Sequence, residues 1–182
     1  AHRVKELEPR IRQLVIDLIE PLAERGSGDA MKDIGAPLTA HIICEQLGFD
    51  FAEVGTERIA RWTTATLAQM GRMQTHEEML ENARIMCEMQ NYIIPVIHAR
   101  EAEPREDMIS DLVHARLEDE ENPTLSFEEK LSTVRALLIA GNDTTAAALA
   151  NLMLILATQP DTARVLYAAA DWNNLLNIFN NI

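Results

Sequence analysis

Aromatic residues are scarce in this chain, 4% of 182 positions, and only two cysteines are present. Cys44 and Cys87 have different surroundings and no C-x-x-C spacing, so they form neither a disulfide framework nor a metal ribbon, and a reducing cytoplasm suits them. No H-E-x-x-H string occurs. His41 and Cys44 stand three apart on one predicted helix, but no second pair follows, and a core cysteine beside a partly exposed histidine explains them better than a metal site. Basic residues are outnumbered, 16 against 29 acidic, for a net charge of -13. Without a broad cationic surface to meet a phosphate backbone, nucleic-acid binding falls away as a function class. The opening AHRVKELEPRI has no initiator methionine and no apolar centre of the kind a signal peptide needs, and we expect a chain entered partway.

What the chain does have is aliphatic residues in helical rhythm. With 47% hydrophobic and 25% charged residues it reads as a globular, all-α protein, one partial domain over residues 1–182. The organising stretch is 126–158, SFEEKLSTVRALLIAGNDTTAAALANLMLILAT. Ser126 and Glu129 make a capping box, each side chain serving the other's backbone N–H, so a helix starts here. It runs for about 45 Å at ~1.5 Å per residue until Gln159-Pro160 stops it. From Val134 onward apolar residues occupy every face, the pattern of a long helix buried all round. A membrane span is disfavoured, because Arg135 lies near its start and Asp143 at its middle, and a central charge costs ~2.5–3.5 kcal/mol on insertion.

The middle of this helix reads Ala140-Gly141-Asn142-Asp143-Thr144-Thr145. Glycine inside a helix costs about 1 kcal/mol relative to alanine, and a buried carboxylate needs partners. Thr144 can turn its hydroxyl onto the carbonyl of Ala140 and bend the helix. Ala140, Gly141, Thr144 and Ala148 recur at helical spacing as a shallow trough that would let a flat ligand approach the backbone, with an acid and a hydroxyl beside it. A core helix with a satisfied polar kink is the competing explanation.

Those six residues resemble the long-helix signature of the cytochrome P-450 superfamily, the haem-thiolate monooxygenases, which reads A/G-G-x-D/E-T-T/S. The flanking S-F-E-E-K-L and Q-P-D strings strengthen the resemblance. It implies a helix crossing the distal face of a haem, with Ala140, Gly141, Thr144 and Ala148 against the macrocycle. It further implies that Gly141 admits the macrocycle and dioxygen, and that Asp143 and Thr144 relay protons to oxygen bound at the iron.

The chain before this helix, and the stretch after it as far as residue 170, resembles the same family. A first helix is predicted over 4–24, with Leu7, Ile11, Leu14, Val15, Leu18, Ile19 and Leu22 on one face and Pro9 and Pro21 near kinks or weak turns. Gly26-Ser27-Gly28-Asp29 is a turn, residues 30–34 a short extended segment, and a second helix runs from Ala36 and Pro37 to a stop at Gly48. A third helix over 51–72 carries Trp62, Leu67 and Met70, with Gly55 weakening its start; a fourth over 75–100 carries Met79, Leu80, Ala83, Met86, Cys87, Met89, Tyr92 and Ile93. The methionines read as adaptable core rather than soft-metal ligands. In the family these two helices and their link roof the substrate cavity. YIIPVIHAR, a proline-broken helix end, and D-M-I-S-D-L-V resemble soluble bacterial members. Asp111 and His114 share a face, which an exposed helix explains; residues 118–122 form an acidic solvated loop.

After a helix over 162–170 the resemblance stops, and residues 171–182 are an atypical tail rich in asparagine in which Trp172, Leu175, Leu176, Phe179 and Ile182 keep helical spacing. The family's E-x-x-R helix is expected there without its glutamate, and Glu81-Asn82-Ala83-Arg84 lies before the long helix. The haem thiolate of the family sits in an F-x-x-G-x-x-x-C-x-G loop, and neither cysteine here has such neighbours. The resemblance therefore implies an internal piece of a soluble, cytoplasmic monooxygenase that inserts one oxygen atom of O2 into an apolar organic substrate. Haem is the cofactor of the complete protein, and a ferredoxin and ferredoxin reductase deliver electrons from NAD(P)H. The piece alone is expected to be inactive. The alternative is a truncated, haem-free helical interaction or binding module, or a nonfunctional remnant, with exposed apolar surface that makes it associate.

Overall fold

A computed structural model describes residues 2–71, 74–116 and 124–168, and their regular structure is entirely helical. The acidic loop at 118–122, the tail at 171–182 and part of the link between the third and fourth helices lie outside the described residues. Helix α1 spans His2–Arg25 without interruption, its two prolines inside it. Pro9 and Pro21 are both exposed, and the helix continues through them. Of its apolar stripe only Leu14 is buried.

The expected extended segment at 30–34 is instead a π-helical turn, Ala30–Gly35. Asp29 winds it: its carboxylate accepts from the N–H groups of Met31 and Lys32. Asp33 in turn accepts from the Asp29 N–H and from Arg25, which together hold its carboxyl below the ordinary value. Helix α2, Ala36–Leu47, follows directly with Pro37 in its first turn and ends at Gly48, whose φ of 76° is left-handed. Helix α3, Phe51–Ala68, is capped by Asp50, kinked at Gly55, and ends before the expected 72.

Helix α4, His76–Ala102, opens on a capping box of Thr75 and Glu78 and runs through Pro95 instead of breaking there. Its second half is core, with Met89, Ile93 and Ile97 fully buried, whereas Met79 and Leu80 in its first turns are exposed. Helix α5 is Met108–His114, α6 is Phe127–Thr158 and α7 is Pro160–Ala168. Helix α6 has the predicted length and capping box. Its burial is confined to a stripe of Val134, Leu138, Asn142 and Ala146, one residue per turn.

The core lies where α2, α3, α4, α5 and α6 meet, around Leu47, Ile59, Trp62, Ile93, Ile109 and Leu138. Each such side chain contributes about 1.5–3 kcal/mol by leaving water. Two polar clasps fix the layout. Glu88 on α4 accepts from Arg58, Arg61 and the Trp62 indole on α3, and the Arg58 hydrogen bond chiefly holds its carboxyl below the ordinary value. Arg100 at the end of α4 donates to Asp107 at 2.5 Å and to the Gly48 carbonyl at 2.9 Å, tying α4, α5 and the α2–α3 turn together. The foot of α6 is held to α4 by Lys130 with Glu101 and by the stack of Phe127 on His98, centroids 5.0 Å apart.

Candidate functional site: the polar middle of helix α6

The buried stripe of α6 turns the residues between its members in fixed directions. Ala140, Thr144 and Ala148 come out exposed, on a face that no described residue covers. Small side chains four apart leave the backbone of that face open along two turns. The Thr144 hydroxyl donates to the Ala140 carbonyl at 2.7 Å, the bond expected from the sequence. With its single proton engaged there, the Thr144 oxygen presents acceptor lone pairs.

Gly141 does not share this face. A Cβ added to it would lie 2.9 Å from Ile43 Cδ1, so the glycine admits α2 rather than opening the exposed side. Gly141, Thr145 and Leu149 instead line an apolar groove of about 360 Å³ with Ile11, Leu38 and Ile43 of α1 and α2. That groove has no titratable group on its walls, and the acid and hydroxyl of α6 are elsewhere.

Asp143 points to α3. Its Oδ1 accepts from the Thr63 hydroxyl at 3.0 Å and from the Asn142 carboxamide nitrogen at 2.9 Å. Asn142, 3% exposed, is oriented by the Thr39 hydroxyl of α2, which donates to its Oδ1 at 2.9 Å. The polar middle of α6 is thus a satisfied network spanning α2, α6 and α3 rather than an isolated buried charge. Thr63 and Thr39 escaped sequence reasoning. Each lies in an unremarkable helical run, 80 and 103 residues from its partner, and no local pattern marks such pairs.

The two cysteines sit in contrasting places. Cys44 is fully buried in the core, and burial, with Asp50 and Glu45 nearby, pushes its thiol up to about 12. A thiol so placed stays protonated and inert, so the packing role expected for it is what the structure shows. The His41 ring lies 4.2 Å from that of Phe51, tilted by 30°, and meets Glu45 and Arg10. Cys87 is exposed on α4. No cluster of three or more metal-ligating side chains occurs among the described residues. Of the expected roof methionines, Met89 is core and Met70 is 79% exposed. His114 contacts the Arg100 carbonyl at 3.0 Å, and Asp111 lies on the exposed surface of α5.

Helical architecture, the A-G-N-D-T-T centre and sequence comparison converge. The family model for cytochrome P-450 matches residues 60–171, and the chain belongs to that family. It is 32% identical over 167 residues to the mycinamicin IV hydroxylase/epoxidase of Micromonospora griseorubida, covering 91% of this chain and 40% of that protein. It is 31% identical to the cytochrome P-450 monooxygenase PikC of Streptomyces venezuelae, covering 91% and 38%. Among solved structures, the bacillaene polyketide synthase cytochrome P-450 PksS of Bacillus subtilis 168 superposes with a TM-score of 0.76 at 26% identity, over 90% of this chain and 39% of that one. The chain therefore spans about 40% of the length of the curated relatives it matches.

The exposed face of α6 fits a haem's distal side: Ala140, Thr144 and Ala148 are small, in line and uncovered. Gly141, expected on that side, is turned toward Ile43.

Proposed function

We propose that these residues are the distal wall and cavity roof of a haem-thiolate monooxygenase that inserts one oxygen atom of O2 into an apolar organic substrate. The observation that carries the reading is the pairing, on adjacent positions of α6, of a tethered acid with a hydroxyl lying on an open, small-residue face. Haem, when bound, supplies oxygen activation at iron. Ala140, Thr144 and Ala148 would hold its distal side, while Asp143 would carry protons and the Thr144 oxygen, its hydroxyl donating to the Ala140 carbonyl, would accept and position one. The roof falls to α3, α4 and the turn that ends α3, where exposed Met70, Met79 and Leu80 suit an apolar substrate.

The axial thiolate is assigned to residues beyond these 182, because Cys44 is sealed in the core and Cys87 lies on a helix without the glycines of a ligand loop. Alone, the chain is expected to be inactive. The complete protein is read as cytoplasmic, drawing electrons from NAD(P)H through a ferredoxin and its reductase, in keeping with hydroxylase and monooxygenase relatives from bacteria. Helix α6 is long and apolar enough to cross a membrane by length and composition, but Asn142 and Asp143 at its centre bond to α2 and α3, which suits a packed helix.

The test is Thr144→Ala in the complete protein. Product formed per NADH consumed should fall several-fold and hydrogen peroxide rise to match, a positioned proton group being worth about 10²–10⁴ in rate. Unchanged coupling removes Thr144 from the relay. The second reading, a haem-free helical binding module, rests on the sealed Cys44. It gains if neither the chain nor its complete parent takes up haem.

A further inference from the structure

We propose that Thr63 and Asn142 are positioning residues that reserve one oxygen of Asp143 as a permanent acceptor, so that the carboxyl group takes up and releases its proton at Oδ2 alone. The role in proton relay rests on the function proposed above; the tether itself does not.

Both hydrogen bonds to Asp143 fall on the same atom. Thr63 Oγ1 and Asn142 Nδ2 reach Oδ1 at 3.0 and 2.9 Å, from two different directions, one from α3 and one from the neighbouring position of α6. Two donors occupy the two lone pairs of a carboxyl oxygen, so a proton arriving at Oδ1 would have to displace one of them. Thr63 is 0% exposed and Asn142 3% exposed, so water cannot replace a lost partner. The Thr63 hydroxyl has a second acceptor within reach, the Ala60 carbonyl of its own helix at 3.2 Å, but Asp143 at 3.0 Å is the nearer. Asn142 cannot turn its oxygen toward Asp143 without facing one acceptor with another, and Thr39, 5% exposed, already donates to that oxygen. A proton added at Oδ2 disturbs neither bond: Oδ1 becomes the carbonyl oxygen of the neutral acid and keeps accepting from both groups.

The cationic groups of α2 and α3 are engaged elsewhere. Arg58 and Arg61 of α3 pair with Glu88 on α4, and His41 and Glu45 of α2 pair with each other and with Arg10. Among the described residues no ion pair to Asp143 is formed, so neutral donors set its geometry.

Two measurements test the assignment. On this chain, Asp143→Asn should unfold at the same urea midpoint as the parent, because a carboxamide keeps its oxygen under Thr63 and Asn142 and places its nitrogen where the protonated Oδ2 would be. Asp143→Leu and Thr63→Val should each unfold at a lower midpoint. If Asp143→Asn falls as far as Asp143→Leu, Oδ1 is not a reserved acceptor and the proposal is overturned. In the complete, haem-loaded protein, Thr63→Val should divert several-fold more electrons to peroxide with KM for substrate unchanged, and Thr63→Ser should restore coupling. Coupling unmoved by Thr63→Val while Thr144→Ala abolishes it overturns the positioning role and leaves the proposed function intact. Coupling unmoved by both, with the urea pattern as expected, overturns the proposed function and leaves the tether.

Discussion

At the scale of single residues, the side chains that matter here are polar ones made tolerable by a specific partner. Asp107 is the extreme case. Its side chain is 5% exposed and that of Arg100 is 7% exposed, so neither charge has water to fall back on. Burial works to raise the Asp107 carboxyl, but the Arg100 hydrogen bond and the Ser110 N–H outweigh it, and the group is held below its ordinary value. A carboxyl depressed on folding stabilises the fold at pH values above its unfolded titration, and that stability is lost as pH falls through the folded one. Asp107→Asn keeps the cap on α5 but leaves Arg100 without a counter-charge, and it is expected to cost about 3 kcal/mol at pH 7. The gap between variant and parent should begin to narrow as the pH is lowered below about 4, where the carboxyl of the unfolded chain starts to protonate, and narrow further as pH falls through the lower folded value. Urea unfolding at both pH values checks magnitude and sign together.

At the scale of elements, close approach rather than propensity decides where α6 lies. The π-helical turn brings Gly35 against the backbone of α6, and a Cβ on it would stand 3.0 Å from the Ala146 carbonyl oxygen. A backbone atom cannot step aside as a side-chain tip can. Gly35→Ala is therefore expected to cost about 1–3 kcal/mol, the range of overpacking in a filled interior. Gly141→Ala meets only the flexible end of Ile43 and regains about 1 kcal/mol of helix propensity, so it should be close to neutral. Thermal unfolding of the two variants side by side distinguishes these cases. Equal losses would mean that the α2–α6 contact, and not the turn, sets the spacing.

At the scale of the whole molecule, the described residues bury one stripe of a helix whose composition is apolar on every side. Ala140, Ala147, Ala148, Leu154 and Ile155 lie exposed along α6, and Val165 follows on α7. An apolar face of this length lowers its free energy by meeting another surface. In the complete protein the haem and the remaining fold are proposed to cover it. The chain by itself is expected to self-associate, and sedimentation velocity at micromolar concentration should show species heavier than the monomer. A single sharp monomeric boundary would count against an uncovered α6.

Much of this was legible in local pattern. The capping box at Ser126, the stop at Gly48 and the Thr144 bond to Ala140 follow from side chains acting within one turn, and the sequence states them directly. Family membership was legible too, because A-G-N-D-T-T is a contiguous string. The acid and hydroxyl were named by the same string, but their environments were not. That Gly141 faces α2, that Asp143 rests on Thr63 and that Asn142 rests on Thr39 depend on how three helices cross. The π-helical turn and the unbroken passage of α1 and α4 through their prolines were also decided above the local level, by caps, neighbours and solvent access. Sequence alone determined which residues could do chemistry. Only the tertiary structure decided which face each one turns to and which oxygen of Asp143 is held, because those depend on distances between residues far apart in the chain.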